Sequence, residues 1–270
     1  MTLHLTNNLW TLLNKKRVKN LFLTRVSQAL CLVILFTFSL TAQKTQHDWV
    51  NWSGISLSFS PVKTLDFSLD QQIRFDANMS QFKSSFTELG TGIKVHNAVS
   101  FSFSYRYTQR NPYQQNKQRL SSIIRFKPDL QNNNFKLSLR LKHQFNYVWN
   151  RSESNHDLRA KISVKYDKKK WAITPFAAGE LFYDMNHPTE KLSRVRGQAG
   201  IEYPFKKQWH KLAKKSIEIR YIFQQELNGK IPEAAHIIAI GMNFSFKSNK
   251  KDLDKVEKKI DKIPHEYRGF

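Results

Sequence analysis

Apolar and polar residues alternate with a period of two along most of this chain, most clearly in residues 99–107. Every odd position from Val99 to Tyr107 is apolar or aromatic, and every even position is polar. Successive side chains of a β-strand point to opposite faces of a sheet, so this pattern predicts a strand with one apolar and one polar face. The function then depends on whether the apolar face meets lipid or a protein core.

We count eleven segments of this kind between Trp49 and Phe246. Each has about 9 to 13 residues, near the roughly 9 to 11 that a tilted strand needs to cross a bilayer. Short turns alternate with longer loops such as 76–84 and 109–118, except at the lysine-rich connection 204–215. This rhythm predicts an all-β fold, an up-and-down antiparallel transmembrane β-barrel. Because bacterial barrels normally have an even number of strands, we predict about 12, with 43–52 as the added half-strand, and 10 as the second choice.

Aromatic residues fall at both ends of the predicted strands, as expected for rings that sit at the headgroup level of a bilayer. One belt, toward the longer loops, contains Phe75, Tyr107, Tyr147, Trp149, Tyr183 and Phe223, and the other contains Phe126, Phe135, Tyr166, Trp171, Tyr203 and Phe246. A soluble, exported β-barrel or sandwich that acts as a binding module is the alternative, since alternation alone does not distinguish inward from outward faces. Such a fold gives no reason for belts.

The first 42 residues have the features of a secretory signal. A basic cluster precedes an apolar run from Ala29 to Leu40, and small residues follow, so we predict cleavage after Ala42. An uncleaved membrane anchor is the alternative, but the run is shorter than the roughly 20 apolar residues that a spanning helix needs. The sole cysteine, Cys31, lies in this run, so the exported chain has no thiol for a disulfide. Export without disulfides predicts the bacterial envelope.

We therefore divide the chain into a signal peptide (1–42), an outer-membrane barrel (43–246) and a polar periplasmic tail (247–270). The tail is rich in lysine, and apolar residues at helical spacing between Leu253 and Ile263 predict at most a short amphipathic helix. The predicted localisation is the bacterial cell outer membrane.

The chain is strongly basic, with a formal net charge of +23 that falls to +18 when the leader and its five basic residues are removed. Such a charge would ordinarily favour nucleic acid as a ligand. An exported protein meets little nucleic acid, and these charges are distributed strand by strand, so we predict no nucleic-acid partner. Outer-membrane lipid, lipopolysaccharide and the barrel-assembly machinery are the expected partners, and the oligomeric state is left open.

Charged residues occupy the polar face of the predicted strands, which is the lumen in a barrel. The predicted lumen charges are Arg74, Arg106, Arg140, Lys142, Arg159, Lys161, Arg194, Arg196, Arg220, Asp66, Asp70, Glu180, Glu202 and Glu218. Charges in a narrow, water-poor interior must be paired, which predicts a structural salt-bridge network. A basic lining also favours anions, so a narrow anion-biased channel is the second hypothesis.

Catalysis is not expected. Ser122 and His143 both fall on the apolar face of neighbouring strands, and an outer-membrane lipid hydrolase would need such a pair within about 3 Å. The tightest hairpin places His143 opposite Leu120, and no amide or carboxylate stands beside it to orient the ring. The chain has no metal-ligand spacing, phosphate loop or dinucleotide fingerprint, so no metal and no cofactor are predicted.

Several short motifs resemble an uncharacterised family of outer-membrane barrels, the domain of unknown function 2490. They are Asp48-Trp49, the strand from Asp70 to Phe75, Tyr105-Arg-Tyr107, Arg194-Val-Arg-Gly197 and Gly200-Ile-Glu-Tyr203. The resemblance covers residues 48–246. It implies an outer-membrane β-barrel, and it transfers no functional residue to this chain.

Overall fold

The computed structural model describes residues 46–130, 134–148, 154–168, 171–186, 191–205, 213–228 and 232–248. In these ranges the alternating segments form β-strands that pair with their sequence neighbours and close into a barrel, which confirms the predicted all-β, up-and-down architecture. The strands are β1 (Gln46–Val62), β2 (Leu65–Asp76), β3 (Gln81–Lys94), β4 (Val99–Arg110), β5 (Lys117–Phe126), β6 (Phe135–Val148), β7 (Ser154–Tyr166), β8 (Thr174–Asp184), β9 (Leu192–Pro204), β10 (Ala213–Glu226) and β11 (Glu233–Lys247).

Several sequence predictions lie outside the described residues. They are the signal peptide 1–42 with Cys31, the ring of Trp149 and the tail from residue 249 onward. No helix in the described part of the chain is long and apolar enough to cross a membrane.

The described barrel has 11 strands instead of 12, because the expected extra half-strand is the beginning of β1. β1 stays in register with β11 from Gln46 opposite Glu233 to Ser60 opposite Lys247, with no break near Trp52. Strands of an up-and-down barrel alternate in direction, so the first and last strands of an odd-numbered barrel run the same way. The β1–β11 pair is accordingly parallel, and all other neighbours are antiparallel.

The expected alternation of short and long connections is wrong. Connections after odd-numbered strands, at the end that we call the odd rim, are 63–64, 95–98, 127–134, 167–173 and 205–212. Those after even-numbered strands, at the even rim, are 77–80, 111–116, 149–153, 185–191 and 227–232. The two sets overlap in length because the strands continue into polar residues that were expected to form loops. Phe82, for example, lies inside the expected loop 76–84 but belongs to β3 and pairs with Phe75. Loop length therefore does not orient the barrel.

The barrel is inverted relative to a soluble protein, with apolar side chains outside and polar ones inside. Phe103 and Leu89 are 65% and 56% exposed on the outer face. Lys142 and Glu180 are both only 5% exposed, and Gln144 is 2% exposed. Because side chains alternate between faces, each strand contributes one row to the exposed apolar surface and one to the interior.

The start of β1 is attached to the first even-rim turn. Ala77, Asn78 and Met79 have φ values of 51°, 56° and 66°, a left-handed conformation that is costly for residues with a Cβ. The Asp48 carboxylate accepts hydrogen bonds from the backbone nitrogens of Ala77 and Asn78, at 3.2 and 2.8 Å. The backbone nitrogen of Met79 also donates to the carbonyl of Trp49 at 3.0 Å. These bonds hold the strained turn against the strand that closes the barrel.

Two glycines of β9 are expected to respond differently to an added methyl group. A Cβ on Gly200 would lie 2.5 Å from the carbonyl oxygen of Ile219 and 2.8 Å from the Phe176 ring, whereas one on Gly197 would meet nothing within 4 Å. We expect Gly200→Ala to destabilise the barrel by about 1–3 kcal/mol, because the neighbouring backbone must move. Gly197→Ala should change stability by less than about 0.5 kcal/mol. Urea unfolding of both variants measures the difference, and equal midpoints would contradict the close approach.

Candidate functional site

The structure places all the predicted lumen charges at interior-facing positions, and it brings half of them into one network near mid-barrel. We call these charges, together with the further charged, polar and aromatic side chains that lie among them, the interior network. Its members are Arg74, Arg106, Arg119, Arg140, Lys142, Arg159, Arg196, Glu88, Glu180, Gln144, Asn146, Trp52, Phe86 and Phe182.

Glu180 on β8 is the most connected carboxylate of the interior network. Arg140 donates to its Oε1 at 2.6 Å, Arg159 to its Oε2 at 2.8 Å, and Arg196 to its Oε2 at 3.1 Å. The Glu180 side chain is 4% exposed, so one buried carboxylate is shared by three guanidiniums from β6, β7 and β9. Such charge-assisted hydrogen bonds are stronger than neutral ones, and they tie four strands together.

Glu88 on β3 is the second carboxylate that several cations share. Arg106 on the neighbouring strand β4 forms an ion pair with it, and the Nζ of Lys142 lies 3.7 Å from its Oε1. Lys142 belongs to β6, and two strands separate it from β3 along the barrel wall. The contact between Glu88 and Lys142 therefore spans β4 and β5 on the inner side of the barrel.

Three aromatic rings point inward and stack with the arginines. Arg106 lies 3.7 Å above the centre of the Phe86 ring, Arg159 lies 4.2 Å above Phe182, and Arg74 lies 4.2 Å above Trp52. Arg196 lies over two rings, those of Phe182 and Trp52, at 4.7 and 5.4 Å. These cation–π contacts stabilise guanidiniums that are largely removed from water.

An apolar cluster closes one side of the interior beside the β1–β11 seam. Val50, Ile222, Ile237 and Ala239 are 1–4% exposed, and Trp52 packs against them. The alternation of polar and apolar residues predicted only polar residues in the lumen, so this cluster was not predicted. The signal was a break in the alternation, because Tyr221-Ile222-Phe223 and Ile237-Ile238 are consecutive apolar residues. In such a run one residue must face inward.

Small residues line the interior between the interior network and the odd rim on the side of β1–β4. They are Ser58, Ser68, Gly90, Gly92, Ser102 and Ser104, which face one another across the strand pairs. A Cβ on Gly90 would lie 2.5 Å from the Ser68 hydroxyl, so neighbouring strands approach closely here. Serine and glycine occupy little volume, which permits this close approach.

The remaining predicted charges form separate, mostly local contacts. Asp66 pairs with Lys94 at 3.5 Å, and Asp70 accepts a hydrogen bond from Ser56. Three further ion pairs are Glu202–Lys165 at 2.7 Å, Arg194–Glu226 at 2.5 Å and Arg220–Glu218 at 3.1 Å. Lys161 stands opposite Arg140 and Glu180. Except for the Lys165–Glu202 pair, which joins β7 and β9 over the intervening strand β8, these contacts lie on neighbouring strands or within one strand. They therefore mainly stabilise the wall.

Several network residues were not among the predicted site residues, notably Arg119, Gln144 and the ring of Phe182. Phe182 lies two residues after Glu180 on β8, so the two side chains share the inward face. The available signal was an aromatic residue at a position of the polar face. Arg119 stands directly opposite Arg106 and lies on the inward face by the same rule. The pattern thus indicated their face but not their contacts.

The register that was expected for the serine–histidine pair is wrong. His143 stands opposite Ser122, and Leu120 stands opposite Phe145. The His143 ring nevertheless turns the other way: its Nε2 lies 3.3 Å from Nδ1 of His156, and the two rings stack with centres 5.5 Å apart. No hydrogen bond joins Ser122 to His143 in the part of the chain that the structure describes. A base held away from the hydroxyl does not activate it.

His236 forms a second outward-facing ring cluster near the even rim. Its Nε2 lies 3.0 Å from Nδ1 of His47, and its Nδ1 lies 2.7 Å from the hydroxyl of Tyr221, with Trp49 stacked at 5.0 Å. In the described ranges, no group of three or more His, Cys, Asp or Glu side chains is arranged to hold a metal ion. We therefore treat the interior network as the candidate site.

The comparisons with known proteins give a family match and weak structural similarities. A family model described as "Protein of unknown function (DUF2490)" matches residues 49–230. No curated protein matches the sequence. Among solved structures, the chain is similar to a "KdgM porin" with a TM-score of 0.35 and 16% sequence identity, over 62% of this chain and 81% of that chain.

Proposed function

Since this chain belongs to the DUF2490 family, whose description assigns no function, we propose one from the geometry: an outer-membrane β-barrel with a narrow passage that favours small anions. The observation that supports the membrane location is the inverted distribution of side chains. Phe103 and Leu89 are more than half exposed on the outside, whereas Glu180 and Lys142 are buried inside. Exposed apolar residues occur along every strand from β1 to β11, as expected for a barrel surrounded by lipid.

A soluble, exported barrel is the alternative, and it fits this arrangement poorly. Such a protein would bury its apolar rows, but the buried hydrophobic cluster in the described residues contains only Val50, Ile222, Ile237 and Ala239. The aromatic residues at strand ends also suit a membrane. At the odd rim, Tyr166 contacts both Phe135 and Trp171, with ring centres 4.9 and 5.3 Å apart, as expected for rings at headgroup level. Outer-membrane lipid and lipopolysaccharide are the partners that we propose for this surface.

The preference for anions follows from the excess of positive charge in the interior. Glu180 is shared by three arginines and Glu88 by two cations, so these carboxylates do not balance the cations around them. A passage lined by unbalanced arginines lowers the energy of an anion and raises that of a cation. We propose no catalytic role, because the outward-facing serine and histidine do not interact.

A purely structural barrel is the second candidate, and the buried contact of Glu88 on β3 with Lys142 on β6 favours it. A network of this density could close the passage, as side chains fill the interior of small barrels. The two candidates differ in one measurable property. A structural barrel does not conduct ions, whereas the proposed passage does.

Planar bilayer recordings of the purified, folded chain test the proposal. Under a potassium chloride gradient we expect small unitary conductances and a reversal potential that shows chloride permeating better than potassium, because the interior is basic. Bilayers treated with the same detergent without protein provide the control. A preference for potassium would overturn the proposed selectivity, and a barrel that inserts without conducting would be structural.

A further inference from the structure

We propose that the interior network holds a small oxyanion, a phosphate or a carboxylate, beside Arg74 and Arg119. This inference rests on the proposed function and deepens it, because it gives the anion-favouring interior a defined site and a ligand class. It depends on the contacts of three donors, Arg74, Arg119 and Gln144.

The cations of the interior network outnumber the carboxylates near them. Asp70 and Asp157 lie close enough to act on these cations, in addition to Glu88 and Glu180. Seven cations therefore face four carboxylates: Arg74, Arg106, Arg119, Arg140, Lys142, Arg159 and Arg196 against Asp70, Glu88, Asp157 and Glu180. Buried charge without a counter-charge is costly, so an anion from solution would stabilise this arrangement.

Arg74 and Arg119 are the guanidiniums of the interior network that have no carboxylate contact among the described residues. The Nε of Arg74 donates to Gln72 Oε1 at 2.9 Å, and the Nε of Arg119 donates to Asn146 Oδ1 at 2.6 Å. Their terminal nitrogens have no hydrogen-bond acceptor within the described ranges. Arg74 and Arg106 lie over the same ring, that of Phe86, at 5.0 and 3.7 Å, and Arg119 stands opposite Arg106, so these three arginines lie together. Uncommitted donors in such a positive field are what an oxyanion requires.

Gln144 adds a neutral donor next to this position. Its side-chain oxygen accepts a hydrogen bond from Arg159 at 3.2 Å, but its buried Nε2 has no partner in the part of the chain that the structure describes. Gln144 stands opposite Ser121 on β5, two residues from Arg119. An unsatisfied buried amide donor is unfavourable, and an anion oxygen at this point would satisfy it.

The cross-strand pairing of two arginines also favours an anion here. Arg106 and Arg119 stand directly opposite each other on β4 and β5, and only Arg106 has a carboxylate partner. Like charges in this position repel one another unless a counter-ion lies near them. Among the described residues, no acidic side chain forms an ion pair with Arg119: Asp157 reaches it only through Asn146, which donates to the Asp157 carboxylate at 2.7 Å, and this leaves the terminal nitrogens of Arg119 open to an external anion.

The chemistry of the donors and the narrow interior indicate the ligand class. Planar guanidiniums bind carboxylate and phosphate through paired hydrogen bonds, so several such groups around one space favour an oxyanion over a halide. The contact of Glu88 with Lys142 occupies part of the interior beside β4 and β5, which favours a small ion. The shared chemistry is thus a compact group with at least two negatively charged oxygens.

Calorimetric titration of the folded full chain in detergent tests the site. Sodium phosphate and sodium acetate are titrated separately at an ionic strength held constant with sodium chloride. We expect saturable binding of one ion per chain, weakened about tenfold or more by Arg119→Gln and by Arg74→Gln, because each removes a charged donor. Arg125→Gln is the matched control: it removes an inward-facing arginine of the same strand whose electrostatic neighbours are Arg140 and Asp66. It should leave the affinity unchanged.

The outcomes separate the possible ligands and the two proposals. Binding of phosphate alone identifies a phosphate site, binding of acetate identifies a carboxylate site, and saturable binding of neither overturns the inference. An equal loss in Arg125→Gln also overturns it, since the effect would then be bulk charge. If the arginine variants fail to fold, Gln144→Leu removes a neutral donor, together with the oxygen that accepts from Arg159, and should still weaken binding several-fold. A chain that binds but does not conduct overturns the channel and keeps the site, and one that conducts without saturable binding does the reverse.

Discussion

Replacing Glu180 with glutamine is expected to destabilise the barrel by about 3–5 kcal/mol, the usual cost of removing one partner from a buried ionic network. The side chain is 4% exposed and accepts hydrogen bonds from Arg140, Arg159 and Arg196. Without its charge, three guanidiniums remain together in a water-poor interior. Urea unfolding of the folded barrel, followed by heat-modifiable migration on gels, measures the loss.

Glu226→Gln is the matched control for this prediction. Glu226 is also a strand glutamate, but among the described residues its one ion pair is with Arg194 at 2.5 Å, and both side chains are 34% exposed. Partly solvated pairs contribute about 0–1 kcal/mol, so we expect a small change. Equal losses in the two variants would contradict a central role for Glu180. In bilayer recordings, the Glu180→Gln barrel should also prefer anions more strongly than the wild type, since a negative charge has left the passage.

Phe103→Arg is expected to impair assembly into the outer membrane. Phe103 lies near the middle of β4 on the exposed apolar face, and its side chain is 65% exposed. An arginine on the lipid face at the centre of a membrane barrel costs about 2–4 kcal/mol. On a soluble barrel, the same exposed position would tolerate arginine within about 0.5 kcal/mol. The readouts are recovery in the outer-membrane fraction and heat-modifiable migration.

Tyr113→Arg provides the comparison at a position that the membrane would not cover. Tyr113 lies in the even-rim connection 111–116 and is 96% exposed. This variant places the same charge on an exposed aromatic position, and we expect it to assemble like the wild type. If Phe103→Arg also assembles normally, and salt alone extracts the protein, then the barrel is soluble and the proposed location is incorrect.

The buried charges of the interior are costly for stability, and the proposed anion site would give them a function. Packed apolar residues of similar volume often stabilise a protein as much as a buried ion network does, or more. The interior instead concentrates arginines around two shared carboxylates, with Arg119 opposite Arg106. An interior site that attracts anions accounts for this arrangement, whereas filling space would not require it.

The alternation of side chains by itself predicted the face of the charged residues and of most apolar ones, although it missed the inward-facing apolar residues Val50, Ile222 and Ile237. From Val99 to Tyr107 the odd residues are apolar and the even ones polar, and the structure exposes Phe103 while it buries Ser104. The same rule located Glu180, Arg106 and the other charged residues on the interior face. It could do so because the two-residue period of a strand is local and needs no knowledge of the rest of the chain.

The tertiary structure alone decided which of these residues meet. Glu88 contacts Lys142, and Trp52 contacts Arg196, between strands that are not neighbours. Such contacts depend on how many strands close the ring, and the parallel pairing of β1 with β11 is a property of the whole barrel. The register that places Ser122 opposite His143 likewise depends on where each turn begins, and rotation of the His143 ring toward His156 depends on a third strand. A local period sets the face of a residue, whereas closure and register set its partners.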